Sequence, residues 1–288
     1  MRILFVGLGQ MGRRMARRLG PQDLTVWNRS PEVLQSFTME GYSVAADLNA
    51  ATAHSDLVIT MLRDDVAVEE LGTRGFFESL APGSVWIDMT TGNPSSTRRY
   101  LEIARWRQSS FIAAPVSGSL RPAETGNLLI LAGGDPDVIA KVNPVLSRFG
   151  KVAQIGDPEQ ALALKLAFNT LLAFYIDGVA EALQLTDKAG LPRERVLTLL
   201  ASSSLAAAVL QAKFDRWAQQ QYEPEFPIEM LSKDLNLAAD WGKSLGAVIK
   251  GTDALREVYR EASRTSMAGL DMSAVADALA QENDRFPT

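Results

Sequence analysis

The sequence contains no cysteine and a single histidine, and each shortage removes a class of chemistry. Without cysteine the chain can form no disulfide, no thiolate metal site and no thiol nucleophile. The one histidine, His54, has no second imidazole with which to share a metal ion, and nothing near it offers the partners of a serine–histidine triad. We therefore interpret His54 as a loop or helix-end residue, and we predict no metal site.

The sequence also has no excess of positive charge, and its apolar runs are short. Lys and Arg number 29 against 34 Asp and Glu, so the formal net charge is −5. Such a chain has no general attraction for nucleic acid or for an anionic membrane surface. The apolar stretch at 1–9 lacks the cleavage region of a signal peptide, and no stretch approaches the roughly 20 apolar residues of a membrane span. We expect a cytoplasmic protein with no nucleic-acid or membrane partner.

Short apolar runs alternate with helical stretches through the first half of the chain. The runs are rich in Val, Ile, Leu and Trp, which is typical of strands covered on both faces. This alternation indicates βαβ units, so we predict the α/β class, with a Rossmann doubly wound parallel sheet over residues 1–157. The predicted strands are 3–6, 24–27, 57–61, 85–89, 111–113, 128–132 and 152–155.

The pattern changes after Gly156. From Pro158 to about Lys188 the chain has helical periodicity without proline or strand signals, which predicts one helix of about 30 residues. We predict an all-helical C-terminal domain over 158–288, joined to the sheet domain by this helix. A helix of roughly 45 Å is longer than a small domain needs, and it suggests a homodimer or homotetramer. The later predicted helices are 193–201, 205–219, 230–245, 252–266 and 273–281.

A glycine motif directly follows the first predicted strand and opens the first predicted helix. Its spacing, G-x-G-x-x-G, permits a tight turn, a close approach of phosphate to the backbone, and close packing of helix on strand. The N–H groups at the start of the helix would then face a pyrophosphate. The strand before the motif and the βαβ pattern after it argue against a glycine turn without a ligand. The predicted cofactor-binding residues here are Gly7, Leu8, Gly9, Gln10, Met11 and Gly12.

The second predicted strand ends without the carboxylate that NAD-binding domains usually place there. Its last residues lead into Asn28, Arg29 and Ser30. Asn28 and Ser30 can hydrogen-bond to a ribose, and Arg29 offers a guanidinium fork to a 2′-phosphate. We therefore predict NADP(H) as the cofactor, bound in part by these three residues. The alternative is that Arg29 is a solvated loop cation.

Six segments lie in order along the chain: GLGQMG, NRS, IDMTTGNP, APVSG with ETGNLLILAGGD, KLAFN and SKDLNLA. Together they resemble the β-hydroxyacid dehydrogenase family, which includes 3-hydroxyisobutyrate dehydrogenases and glyoxylate or succinic semialdehyde reductases. The resemblance covers nearly the whole chain. It implies an NADP-dependent oxidoreductase that transfers a hydride between the nicotinamide and a small β-hydroxy acid or its semialdehyde, with a 6-phosphogluconate dehydrogenase-like C-terminal domain.

The resemblance also implies roles for individual residues. Lys165 falls at the catalytic lysine of the family, and Asn169 follows one helical turn later on the same face. Hydride transfer to a carbonyl puts negative charge on oxygen, so the Lys165 ammonium would stabilise that charge and deliver a proton, acting as a base in the reverse reaction. Lys233 matches a second lysine that reaches substrate and cofactor. The remaining implied residues are Ser117 and Gly118 for a substrate carboxylate, and Met61, Leu62 and Thr91 along the cofactor.

The substrate turn departs from the family pattern. Ala113 stands for an acidic residue, Ser119 and Pro122 for glycines, and Asn127 for a threonine. We expect the hydride chemistry to survive and the substrate fit to change, although these replacements also admit a weakened enzyme.

Two other functions stay open. An imine reductase shares this architecture and binds NADPH, but that group commonly carries another residue where this chain has Lys165. A non-catalytic NADP-binding module for protein interaction would fit the altered substrate turn. In that case Lys165 and Lys233 would be ordinary surface cations of their helices.

Overall fold

The structure is a computed structural model that describes the backbone of residues 1–285 and the side chains of residues 1–280. It divides into two compact units, Met1–Leu166 and a second that begins at Ala167. The predicted domain boundary between residues 157 and 158 stays a prediction. Each unit is described by itself.

The first unit is built on one sheet with helices between its strands. The strands are β1 Ile3–Val6, β2 Leu24–Trp27, β3 Ser43–Val44, β4 Leu57–Thr60, β5 Val85–Asp88, β6 Ser110–Ala113, β7 Val116–Ser117, β8 Leu128–Gly133 and β9 Gly150–Gly156. The helices are α1 Gln10–Leu19, α2 Glu32–Met39, α3 Leu48–Ala53, α4 Asp65–Thr73, α5 Phe76–Ser79, α6 Ser96–Trp106, α7 Leu120–Thr125, α8 Pro136–Leu146 and the start of α9, Pro158–Lys188.

The strand order brings the ends of several strands to one edge of the sheet. The order is β3-β2-β1-β4-β5-β6-β8-β7, and β9 pairs with β8. From β3 to β6 the pairs are parallel, and the register places Val6 beside Thr60, Thr60 beside Asp88, and Asp88 beside Ala113. The loops after β1, β2, β4 and β5 therefore open at the same edge, where open α/β sheets bind their ligands.

The sheet is buried on both faces. Along β1, Phe5 belongs to one buried apolar cluster, whereas Leu4 and Val6 belong to another on the opposite face. This alternation follows from the two-residue period of a strand. Helices packed on both faces confirm the predicted doubly wound α/β fold.

One part of the sheet is antiparallel, a local departure within the predicted parallel sheet. Strand β8 runs antiparallel to β6 and β7 and parallel to β9. Between β7 and β8 lies only the short helix α7 with its flanking turns. A parallel crossover needs a dozen or more residues, so this short connection returns the chain in the opposite direction.

Helix α9 spans Pro158–Lys188, the limits that periodicity predicted. It is long and apolar enough to cross a membrane by length and composition, and 39% of its most apolar 18-residue window is buried. The apolar character of this 18-residue window was not evident from the sequence, because isolated polar residues interrupt it. A core helix of a soluble protein passes the same test, so the helix is weak evidence for a membrane, and the absence of a membrane partner stays a prediction.

The second unit is all-helical among the described residues. A buried cluster that includes Ile176, Leu183, Trp217, Leu231 and Tyr259 forms its core. The predicted helix 193–201 is present with the predicted ends, and the other predicted helices are present with shifted ends. After α9 come α10 Arg193–Ala201, α11 Ala208–Gln219, α12 Ile228–Ser244, α13 Lys250–Ala262, a 3₁₀ turn Met272–Ala274 and α14 Val275–Arg285.

Candidate cofactor and active site

The glycine motif forms a tight turn between β1 and α1. Gly7 has a φ of +99°, and a Cβ there would collide with the Met61 carbonyl oxygen. A Cβ at Gly12 would collide with the Gly7 carbonyl oxygen, whereas a Cβ at Gly9 would meet nothing within 4 Å. Two glycines thus allow close packing, and the third leaves the backbone open toward solvent at the start of α1. This open turn at a helix N-terminus fits the phosphates of a dinucleotide.

The side chain of Asn28 connects this turn to the loop after β2. Its Oδ1 accepts a hydrogen bond from the Leu8 N–H at 2.9 Å, and its Nδ2 donates to the Ser30 carbonyl at 3.0 Å. The amide therefore orders both loops. Any contribution of Asn28 to cofactor binding includes this positioning of the glycine turn, which its place in the sequence did not reveal.

Arg29 lies in the loop after β2 and forms an ion pair that the sequence did not indicate. Its Nη1 is 2.7 Å from Oε2 of Glu70 on α4, and both side chains are largely exposed. Arg29, which is predicted to bind a 2′-phosphate, thus pairs with a carboxylate on α4, the helix that follows β4, and β4 lies on the opposite side of β1 from β2.

A buried polar network lies beneath the loops after β4 and β5. The Thr60 hydroxyl donates to Asp88 Oδ1 at 2.7 Å and accepts from the Trp86 indole N–H at 3.0 Å. Asp88 Oδ1 also accepts from the Thr90 N–H, and the Thr90 hydroxyl accepts from the Leu62 N–H at 3.1 Å. The network connects Leu62 to the segment that carries Thr91, so both predicted cofactor-lining segments rest on it.

Burial raises the pKa of Asp88 to about 6, although hydrogen bonds from Thr90 and Thr60 act in the opposite direction. For an acid whose pKa is raised in the folded protein, the folded state binds more protons than the unfolded state between the two pKa values. Stability then falls as pH rises through this interval, here from about 4 to about 6.

We expect Asp88→Asn to remove this pH-dependent loss. The amide keeps an oxygen that can accept from Thr60 and Thr90, and it carries no charge to bury. Urea unfolding of both proteins at pH 4.5 and pH 7.5 measures the effect, since other titrating groups cancel in the difference. From pH 4.5 to pH 7.5 the free energy of unfolding of the wild type, relative to that of Asp88→Asn, should fall by on the order of 1–3 kcal/mol. An equal change in the free energy of unfolding of both proteins between the two pH values would contradict the raised pKa of Asp88.

A second carboxylate fixes the loop after β5. Asp65, at the start of α4, accepts a hydrogen bond from the Asn93 N–H at 2.6 Å. A Cβ at Gly92 would collide with the Asp65 carboxylate, so glycine is required for this close approach. The segment around Thr91 is therefore held from below by Asp88 and from the side by Asp65.

The predicted substrate turn lies between β7 and α7. Ser117 is half-buried, and Gly118 is exposed with a φ of +133°. A Cβ at Gly118 would lie 3.2 Å from Pro122 Cβ, so the proline that replaces a family glycine packs directly against the turn. The Asn127 amide donates to the Thr125 hydroxyl at 2.9 Å. Pro122 and Asn127 thus make contacts within the turn and the short helix that follow Ser117.

Lys165 lies in the third turn of α9 and is only 8% exposed. The start of the helix is anchored on the sheet domain, because Leu162 belongs to one of its buried clusters and Glu159 pairs with Arg98. Ala161 is packed close to Gly133 of β8. A buried ammonium at this place has limited freedom, as a proton donor of defined geometry requires.

In the second unit, Asn169 and Lys233 meet at a carboxylate that the sequence did not single out. The Asn169 Nδ2 donates to Asp234 Oδ2 at 2.6 Å, and the Lys233 ammonium lies 2.7 Å from Asp234 Oδ1. Asn169 and Asp234 are buried. Asp234 therefore orients both predicted site residues, and its position next to Lys233 in SKDLNLA was the one available signal.

The arginines of α1 form a surface cluster. Arg17 makes two bonds to Glu40, at 2.8 and 2.6 Å, and Arg14 donates to the Gln10 carbonyl at 2.7 Å. These contacts are those of a solvated helix face.

Family models match both parts of the chain. Residues 2–156 match the NAD-binding domain of 6-phosphogluconate dehydrogenase, and residues 160–279 match the NAD-binding domain of NADP-dependent 3-hydroxyisobutyrate dehydrogenase.

The chain belongs to the β-hydroxyacid dehydrogenase family.

Curated relatives of this chain include enzymes of similar length. A 2-(hydroxymethyl)glutarate dehydrogenase of Eubacterium barkeri is 30% identical over 95% of the chain and 93% of the relative. A 2-hydroxy-3-oxopropionate reductase of Escherichia coli is 30% identical over 97% of each. The cytokine-like nuclear factor N-PAC of Xenopus tropicalis is 29% identical over 95% of the chain, which spans about half (52%) of that longer relative.

Solved structures give the same family fold. The 3-hydroxyisobutyrate dehydrogenase of Mycobacterium tuberculosis, described with L-serine, is 26% identical, with a TM-score of 0.86 over 96% of this chain and 98% of that one. A reductive aminase of Aspergillus terreus, in complex with NADPH and ethyl levulinate, is also 26% identical, with a TM-score of 0.61 over 96% and 99%. This member of the β-hydroxyacid dehydrogenase family is thus an oxidoreductase with NAD(P)-binding domains.

Proposed function

We propose that the protein is an NADP-dependent oxidoreductase that interconverts a small β-hydroxy acid and its semialdehyde, with Lys165 as the general acid and base. The observation that carries this proposal is the burial of Lys165 on α9, at the position of the family's catalytic lysine. NADP(H), when bound, supplies or accepts the hydride.

The residues of the chain divide the remaining work. Lys165 donates a proton to the carbonyl oxygen as negative charge develops there, and in the oxidation its neutral amine takes the proton back. Ser117 and the backbone at Gly118 bind the substrate carboxylate. Asn169 orients the substrate or Lys165, and Asp234 holds its amide at 2.6 Å. Lys233 supplies a second cation toward substrate and cofactor.

The preference for NADP over NAD rests on the loop after β2. Asn28 is hydrogen-bonded within the loop, Arg29 and Ser30 are exposed, and this loop carries no carboxylate to receive the ribose hydroxyls of NAD. Arg29 can offer paired donors to a 2′-phosphate. The remaining cofactor contacts come from residues 7–12, Met61, Leu62 and Thr91.

The test is oxidation of NADPH and NADH by the purified protein with a panel of small aldehydo-acids, including glyoxylate and the semialdehydes of succinate, tartronate and methylmalonate. We expect turnover of at least one compound, faster with NADPH. Absence of turnover with both cofactors, together with measured NADPH binding, would reject the enzymatic proposal in favour of a binding role.

An imine reductase is the second enzymatic candidate, favoured by the fold shared with the reductive aminase. Lys165 argues against it, and the TM-score of 0.86 to the hydroxyisobutyrate dehydrogenase exceeds the 0.61 to the aminase. Cyclic imines added to the panel separate the two. Faster turnover of imine than of aldehyde would change the substrate class.

A non-catalytic NADP-binding module for protein interaction is the third candidate, favoured by the similarity to N-PAC and by the replaced residues of the substrate turn. It requires tight NADPH binding without turnover. The buried Lys165 and the carboxylate-oriented Asn169 favour the enzyme, because a binding module has no need of a buried ammonium.

We also propose a homodimer or homotetramer in the cytoplasm. In the second unit, α9 exposes 70% of Leu171 and 75% of Leu185, which favours a protein surface against this helix. Sedimentation velocity at micromolar concentration should show a dimer or larger species. A monomer throughout the concentration range would reject this assembly.

A further inference from the structure

The Arg29–Glu70 ion pair joins the loop after β2 to helix α4, which follows β4. Strands β2 and β4 lie on either side of β1, and the glycine turn follows β1. Arg29 follows β2, and Glu70 lies on α4, the helix that follows β4. The ion pair, with an Nη1–Oε2 distance of 2.7 Å, therefore connects elements on either side of β1 near the glycine turn.

The exposed surface of α4 next to Glu70 is apolar at one position. Val66 lies one helical turn before Glu70 on the same face and is 62% exposed. An exposed apolar side chain beside an arginine is suited to the flat face of an adenine ring. The pair Arg29–Glu70 thus lies where the adenosine half of a dinucleotide would bind.

We propose that Glu70 is a specificity-determining residue that reduces the preference for the 2′-phosphorylated cofactor by competing with the 2′-phosphate for the Arg29 guanidinium. This inference rests on the proposed binding of NADP(H) at Arg29. With NADH there is no 2′-phosphate, so the ion pair persists and Glu70 carries no penalty. With NADPH, Arg29 must exchange a carboxylate for a phosphate, and Glu70 is left near a like charge.

The expected effect is moderate because the pair is exposed. The side chains of Arg29 and Glu70 are 65% and 47% exposed, so solvent screens both the pair and the repulsion of the phosphate. Neutralising Glu70 should tighten NADPH binding by roughly 3- to 10-fold and leave NADH binding within about 2-fold. The gain should shrink in 0.5 M salt, where the Debye length is about 4 Å.

The experiment measures dissociation constants of NADPH and NADH by calorimetry for the wild type, Glu70→Gln, Arg29→Ala and the double variant. Glu69→Gln is the matched control, since it removes the same charge from the same helix while its carboxylate pairs with Arg99 instead. We expect Glu70→Gln alone to tighten NADPH. In the Arg29→Ala background its effect should be clearly smaller, because the competition for Arg29 is gone and only the screened repulsion between Glu70 and the phosphate remains.

The outcomes separate this inference from the cofactor proposal. If Arg29→Ala weakens NADPH selectively and Glu70→Gln changes nothing, Glu70 is not a competitor and NADP binding at Arg29 stands. If Glu69→Gln tightens NADPH as much as Glu70→Gln, the effect is one of general charge and the inference is wrong. If Arg29→Ala leaves the ratio of NADPH to NADH affinity unchanged, the cofactor proposal and this inference both fail.

Discussion

Replacing Lys165 with methionine is expected to lower kcat for the best substrate by about 10²- to 10⁴-fold, the usual contribution of a positioned general acid. Methionine keeps a chain of similar length in the buried site and removes the proton donor. The affinity for NADPH should change by less than about 3-fold, which is under 1 kcal/mol, because the lysine acts on the carbonyl oxygen. Stopped-flow reduction of substrate and calorimetric binding of NADPH together measure both quantities.

Lys188→Met is the matched control, since this exposed lysine lies in the last turn of the same helix. It should retain wild-type kcat. Undiminished turnover in Lys165→Met would show that another group delivers the proton. A large loss of NADPH affinity with unchanged kcat at saturation would instead make Lys165 a cofactor-binding residue.

Replacing Asp271 with alanine is expected to cost about 3–5 kcal/mol of unfolding free energy, the cost of breaking a buried ion pair from one side. Asp271 is fully buried, and its Oδ2 lies 2.8 Å from the ammonium of Lys213, itself buried. The same oxygen accepts from the N–H groups of Glu225 and Phe226, and Oδ1 accepts from the Ser273 hydroxyl at 2.7 Å. Loss of the carboxylate leaves Lys213 charged and poorly paired, and urea unfolding measures the cost.

The pH dependence of this network has a definite sign. Burial alone would raise the pKa of Asp271, but the charge of Lys213 and the bonds from Ser273 outweigh it and lower the pKa below its ordinary value. The stability it contributes is present above the unfolded pKa of about 3.9 and is lost as pH falls through the lower folded value. Asp271→Ala should lack this acid-dependent loss. The double variant Lys213→Met/Asp271→Leu, which removes both charges, should recover the part of the loss that comes from the unpaired Lys213 ammonium, although the N–H groups of Glu225 and Phe226 stay unpaired. Equal losses in both variants would mean that the unpaired ammonium contributes little to the loss.

The local sequence pattern was sufficient to predict an element where no competing structural signal occurs in the same segment. The limits of α9 were predicted because a long helical period between Pro158 and Gly190 has no competing signal. Strands β1 and β2 were predicted because short runs rich in apolar and β-branched residues stand between turn residues. The two-residue strands β3 and β7 were missed, since so short a segment has no measurable period.

The sequence predicted residues for the candidate site but not the side chains that contact them. Glycine spacing and residue type predicted the turn at 7–12 and Arg29, and the family resemblance supplied Lys165, Asn169 and Lys233 as candidates. Glu70 and Asp234 were not anticipated, because they meet Arg29 and Asn169 across 41 and 65 positions of sequence. No local period reports a contact between side chains on separate elements.

Order along the chain was thus enough for the class of fold, for the family and for the kind of cofactor site, since strand and helix periods, turn glycines and motif spacing are local properties. The direction of β8, the burial of Lys165 and the carboxylates that face Arg29 and Asn169 were decided only when the chain folded. Each of these three features depends on how close separate helices and strands lie in the folded chain, because packing and ion pairing act between residues far apart in sequence. The polypeptide order does not encode those distances in any short segment.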